Sequence, residues 1–317
     1  MRISELVSAY LAHLDRHYAR HPVHGHTNEA MEMRYAAAPL LQLYPELDAA
    51  QFSRPQLKAV RECMSAAELS NATINSRVAK IKRMFRWAED EELMDGAVWA
   101  RLASVRRLPQ RAYKPKPVPL EEVLRTLPHC WSPVKEMILV QLLGGMRPGE
   151  VVQLRLIDVD RTVQPWTYRP RFHKSLWRGL ERVVYLPAQA QEILAPLIAH
   201  QHSYAHLFRP SSVRRNNRYH TQYTTRSYGQ AVRRACARAG TSWHVHQLRH
   251  AAASFYRSVG GLELAQRMLG HESQDTTEIY AALPASGLAI PQMPLGEIPT
   301  QECVKPDFSV GELLTEA

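Results

Sequence analysis

The chain has 317 residues, with 40 Lys/Arg against 30 Asp/Glu and a formal net charge of +10, long enough for two domains with separate cores. No run of about 18 apolar residues occurs, and the start, MRISELVSAYLAHLDRH, is amphipathic rather than an apolar signal core, so a soluble intracellular protein with no membrane contact is expected. Cys63, Cys130, Cys236 and Cys303 form no C-x-x-C pair, which argues against a zinc ribbon or a disulfide framework and for reduced thiols.

Residues 1–108 read as helical. Ile3, Leu6, Val7, Tyr10, Leu11 and Leu14 recur every three or four positions, as one buried helix face requires. Further apolar-periodic runs cover residues 28–43, 55–67 and 72–91. In the last, Ile74, Val78, Ile81, Phe85 and Ala88 mark a buried stripe, and Arg77, Lys80, Arg83 and Arg86 fall on other parts of the surface. That division suits a helix that packs by one side and offers cations on another, either to solvent or to a polyanion.

Residues 106–119, RRLPQRAYKPKPVP, hold four prolines and five cations, Lys114 and Lys116 among them. Proline removes an amide donor and disfavours helix in the residue before it, so an extended basic linker is expected over 109–119. A second domain begins at Leu120, where EEVLRTL starts one helix and VKEMILVQLLGG forms a longer apolar one ending at Gly144–Gly145. Pro148 suits the first turn of a helix, which puts Arg147 at that helix's N-terminus, with Glu150 in the same turn to orient it or cap it. A guanidinium there, together with outward-pointing amides, can hold a phosphate.

Segments near 157–160, 166–170 and 182–186 carry strand formers between charged turns, consistent with a small antiparallel sheet that leaves Lys174 in the second connection. After an irregular Arg-rich stretch, 209–226, the chain reads as helices: RSYGQAVRRACARAG, then HQLRHAAASFYRS, then GLELAQRMLGH. His246 and Arg249, three apart, share a helix face. His271 follows in a turn, and Asp275 with Glu278 form a capping-box pattern before Tyr280.

Two arginines, a lysine and two histidines can surround one phosphate, and a tyrosine among them supplies an oxygen nucleophile without a metal or other cofactor. Phosphodiester transesterification is the chemistry this set suggests. The pairs His24/His26 and His244/His246 have no carboxylate or cysteine at ligand spacing beside them, so no metal site is expected. Residues 109–280 hold 24 Lys/Arg against 12 Asp/Glu, and residues 281–317 hold 1 against 5, so the basic block coincides with the candidate site.

The set Arg147 in GMRPGE, Lys174 in HK before a strand, His246 and Arg249 in H-x-x-R-H, His271 in LGH and Tyr280 nine positions on resembles the tyrosine recombinase, or phage-type integrase, family in a two-domain Xer-like layout. The resemblance covers nearly the whole chain and is strongest over residues 140–282. It implies a mainly α fold: a four-helix SAM-like core-binding domain over 1–108, the linker 109–119, and a mostly helical α+β catalytic domain over 120–283 with a small antiparallel sheet. An acidic tail over 284–317 remains, either docking onto a neighbour in trans or disordered.

By resemblance, Tyr280 attacks DNA to give a 3′-phosphotyrosine, Lys174 protonates the leaving oxygen, and His246 and His271 assist. The resemblance also implies double-stranded DNA as partner, clamped by the Arg77, Lys80, Arg83 and Arg86 face and by Lys114 and Lys116. A homo-tetramer on DNA, a cytoplasmic, nucleoid-associated location and a place in a mobile element go with it, and an accessory directionality factor stays open. Two other readings remain at this level: a DNA-binding regulator on the same fold that does not cut, and a nicking-resealing enzyme of the topoisomerase type.

Overall fold

In the computed structural model, which describes residues 1–19, 28–110, 116–173, 176, 179–199, 205–210, 222–270 and 289–296, the chain divides into two compact units, Met1–Tyr113 and Lys114–Ala317. Among its described residues the first unit is built of helices. Helices α1 (Ile3–Ala19), α2 (Glu29–Leu43), α3 (Arg54–Ala66) and α4 (Asn71–Asp90) follow the apolar periodicity closely, and a seven-residue α5 (Ala97–Ala103), too short to show a period, packs on α3 and α4.

Helix α4 is the spine of this unit. Ser70 caps it by accepting the Thr73 amide at 3.2 Å. Its stripe of Ile74, Val78, Ile81, Phe85 and Ala88 is buried as expected, and Phe85 stacks on Phe52 with ring centroids 5.1 Å apart. Burying one such ring stabilises the fold by about 2–3 kcal/mol. Asn75, polar within the stripe, exchanges two hydrogen bonds with the Leu108 backbone, which pins the chain after α5 to α4.

The cations of α4 are less free than their spacing suggests. Lys80 and Arg83 both pair with Glu29 on α2, and the Lys80 side chain keeps only 15% of its exposure. Arg77 lies over the Tyr35 ring and Arg86 over the Trp99 ring. A cation three or four residues from a buried position borders the stripe, so its stem is covered and its head meets whatever the neighbouring helix offers.

The second unit is built around α7 (Val134–Leu143), which follows α6 (Leu120–Thr126). Residues Met137 to Leu143 are all buried, as befits a helix apolar on every side. Gly144 ends it and Gly145 turns the chain with φ +59° into α8 (Pro148–Val152). Strands β1 (Val159–Asp160), β2 (Trp166–Tyr168) and β3 (Val184–Leu186) form an antiparallel sheet in the order β1-β2-β3, with Tyr168 opposite both Val159 and Val184.

Helix α9 (Ala188–Ala199), not anticipated from the sequence, packs on α7, and α10 (Thr225–Ala239) is capped by Thr224 and stopped at Gly240 with φ +66°. Helix α11 (Val245–Leu269) runs where two helices were expected, and both are present in one span: Gly260 and Gly261 leave helical dihedrals, Gly261 with φ +72° and ψ −170°. That conformation is open to glycine and not to residues with a Cβ.

One expectation is corrected here. Residues 289–296 belong to the tail that was placed outside the catalytic core, yet Met293 and Leu295 are 3% and 4% exposed within that core. The Gln189 side chain also exchanges two bonds of 2.9 Å with the Met293 backbone. Apolar residues that reach their own core are buried there without waiting for a neighbour. No helix among the described residues is long and apolar enough to cross a membrane.

Candidate active site

The site grows from the α7–α8 turn. Arg147 stands at the N-cap of α8 in extended backbone (φ −74°, ψ 151°). Its amide donates to Glu150 Oε2 at 2.8 Å and its Nη1 to Glu150 Oε1 at 2.9 Å, so one carboxylate closes the helix start and holds the guanidinium. Glu150 is 2% exposed, whereas Arg147 keeps 28% of its side-chain exposure and opens to solvent. The Tyr168 hydroxyl donates to the Glu150 carbonyl at 2.9 Å, tying β2 to the same turn.

Arg249 comes from the first half of α11. Its Nη1 donates to the Gly145 carbonyl at 2.6 Å and its Nη2 to the Leu269 carbonyl at 2.7 Å. A single buried guanidinium thus fixes the turn before Arg147 and the residues that precede His271. Further N–H groups of the fork remain for another acceptor. Burial, then Arg182 and Arg147, lower its pKa to about 9, which still leaves it charged at neutral pH.

His246, one helical turn before Arg249, is exposed. Its pKa is lowered from 6.5 by burial of part of the ring, then by His244, His250, Arg249 and Arg147. The imidazole is therefore neutral at pH 7 and able to accept a proton. Gln247 beside it donates to the Lys116 carbonyl at 3.1 Å, so the linker's last lysine is held by its backbone while its side chain stays outside.

Sequence reasoning missed Arg182, which completes the cluster. It precedes β3, its side chain is 4% exposed, and its Nε lies 3.4 Å from Glu150 Oε1. The signal was available in the alternation: Arg182, Val184 and Leu186 recur at two-residue spacing, and the latter two are fully buried. Burial tends to raise the Glu150 pKa, but Arg182, then the Arg147 amide and guanidinium, then Arg249 outweigh it and hold the carboxyl below its ordinary range.

The structure brings together Arg147, Glu150, His246 and Arg249. Lys174, His271 and Tyr280, like Lys114 of the linker, lie outside the described residues. Three guanidiniums around one carboxylate leave an excess of positive charge beside an accessible imidazole. Such a cluster, on an α+β scaffold of helices and a three-stranded sheet, defines an anion-directed site suited to a phosphate.

Known proteins similar to this chain give its family. The description "Phage integrase family" matches residues 121–286. Tyrosine recombinase XerC of Chlamydia caviae is 27% identical over 183 residues, 55% of this chain, and the chain spans 56% of that relative's length. Tyrosine recombinase XerC of Chlamydia trachomatis is 25% identical over 246 residues, covering 75% of each chain. A crystal structure of a lambda integrase (75-356) dimer bound to a COC' core site shares the fold, with a TM-score of 0.67 and 14% identity over 92% of this chain and 99% of that one. The chain belongs to the phage integrase family.

Proposed function

We propose that this chain is a site-specific DNA recombinase that cuts and rejoins strands through a 3′-phosphotyrosine at Tyr280. The observation that carries the reading is the gathering of two arginines far apart in sequence, Arg147 bonded to the buried Glu150 and Arg249 bonded to the Gly145 carbonyl in the turn just before Arg147, with His246 alongside. Arg147 and Arg249 bind the nonbridging oxygens of the scissile phosphate and stabilise the charge that grows on them. A tyrosine hydroxyl with an ordinary pKa near 10 is a weak nucleophile at neutral pH, and the surrounding cations favour its phenolate.

The Tyr280 oxygen forms a bond to phosphorus while the bond to the 5′-oxygen breaks, and Lys174 gives that oxygen its proton. Neutral His246, with His271, takes part in moving the proton that Tyr280 loses. Attack by a 5′-hydroxyl of a partner duplex reverses the step and joins the exchanged strand. The protein acts as a homo-tetramer on two duplexes in the cytoplasm, as part of a mobile element, with residues 1–108 and 120–283 as the clamping and catalytic domains. Arg77 and Arg86 on α4, and the lysines of the linker, contribute phosphate contacts; Lys80 and Arg83 join them only if their pairing with Glu29 opens.

The test incubates nicked duplexes drawn from the DNA flanking the gene with wild type and Tyr280→Phe, followed by a denaturing gel. A covalent protein–DNA adduct in wild type alone is the expected result. Binding by both proteins with no adduct on any flanking site would overturn the reading in favour of a regulator that does not cut.

A further inference from the structure

Arg182 is buried more completely than the arginines expected to meet DNA, and its surroundings do not satisfy it. Nη1 donates to the Val183 carbonyl at 2.8 Å, whereas Nε and Nη2 have no hydrogen-bond partner among the described residues. The nearest opposite charge is Glu150 Oε1 at 3.4 Å, the oxygen that also accepts Arg147 Nη1. On its other side the guanidinium lies against Gly270, where an added Cβ would collide with Nη1.

Desolvating a guanidinium is costly, and an ion pair buried in this way adds little to stability over an apolar pair of the same size. Stability alone therefore gives poor reason for Arg182 at this place. Its effect is on geometry: Glu150 accepts the Arg147 amide through one oxygen, and its other oxygen is drawn between Arg147 and Arg182. Both carboxylate oxygens are engaged, and through them the Arg147 guanidinium is held from its buried side.

We propose that Arg182 is a positioning residue for strand cleavage, acting through Glu150 to fix the Arg147 guanidinium that binds the scissile phosphate. This rests on the strand-cleaving function proposed above. The groups that face Glu150 are Arg147 at α8, Arg182 before β3, Arg249 on α11 and the Tyr168 hydroxyl on β2. Removing Arg182 takes away the largest charge that keeps the carboxyl ionised and one of the two restraints on Oε1.

The experiment is a double-mutant cycle on the full chain. The rate of covalent adduct formation on nicked duplex and the affinity for the same DNA are measured for wild type, Arg182→Met, Glu150→Gln and the double variant. Arg182→Met slows adduct formation about 100-fold, the usual loss when a reacting group is misplaced by about an ångström, with affinity unchanged. In the Glu150→Gln background the same change costs about twofold or less, because the residue through which Arg182 acts is already altered.

If Arg182→Met does not fold, Arg182→Lys, which keeps the charge and much of the volume but loses the fork, takes its place in both arms of the cycle. Losses that multiply across the cycle, or a fall in affinity that accounts for the loss of rate, overturn the positioning role and make Arg182 a direct or purely structural contact. Absence of any wild-type adduct overturns the cleavage function itself and this role with it, so the two failures are distinct.

Discussion

Gly270 is constrained twice, once by its backbone and once by its neighbour. Its φ is +58°, and a Cβ there meets the Arg182 guanidinium; Gly240 has φ +66° with nothing within 4 Å of the added atom. The pair separates the two costs. Gly240→Ala pays only for the left-handed conformation, about 1 kcal/mol. Gly270→Ala adds overpacking against a buried cation and should lose about 3 kcal/mol in all. Urea unfolding followed by circular dichroism measures both; equal losses would mean that Arg182 swings aside freely.

At this scale the placement of Arg147 at a helix start, and of His246 and Arg249 one turn apart on a helix, was legible from a proline after the arginine and a three-residue step. The burial of Arg182 had a signal in the strand alternation, but its role did not, because an arginine beside a strand is usually a solvated cation. Its burial depends on Glu150, which lies 32 positions away in a sequence that gives no sign of their pairing.

Among the elements, α7, α10 and α11 are joined by one buried amide. The Gln141 Nε2 donates to the Val245 carbonyl at 2.8 Å, and its Oε1 accepts the Tyr228 hydroxyl at 2.9 Å. Gln141 is fully buried and so is Tyr228, so Gln141→Ala leaves the Tyr228 hydroxyl without its acceptor, takes a second donor from the Val245 carbonyl and opens a cavity. A loss of about 3 kcal/mol is expected. Chemical denaturation of the full chain checks it, and a change below about 1 kcal/mol would mean that water replaces the amide.

The long helices were readable because a stripe over four or more turns is a strong periodic signal, and the Gly260–Gly261 break was readable because two glycines interrupt it. Helix α5 spans too few turns to show a stripe. In α9, Ala190, Leu194 and Ile198 do mark a face, but Pro196 within the run hid it. The tail segment was misassigned for a different reason: Met293 and Leu295 are two isolated apolar residues between prolines, and only a core that fits them reveals where they go.

For the whole molecule, charge is the property to test. The basic block predicts DNA binding that weakens steeply with salt as counterions are released. Arg86 is exposed over Trp99, so Arg86→Ala should reduce the slope of log affinity against log salt by about one and weaken all sequences alike. Lys80 is held by Glu29, and Lys80→Ala should leave that slope unchanged. Fluorescence anisotropy across a salt series separates the two; a slope altered by Lys80→Ala and not by Arg86→Ala would reverse their assigned roles.

Local rules were enough for the helical first unit, the small sheet and the basic middle of the chain, since spacing and residue type act over a few positions. Packing alone decided that Lys80 and Arg83 turn to Glu29, that residues 289–296 return to their own core, and that Arg182 joins Glu150 behind Arg147. Each of these is a contact between elements distant in sequence. Whether a charge is solvated or paired depends on what the fold places beside it, and no periodicity within one segment encodes that neighbour.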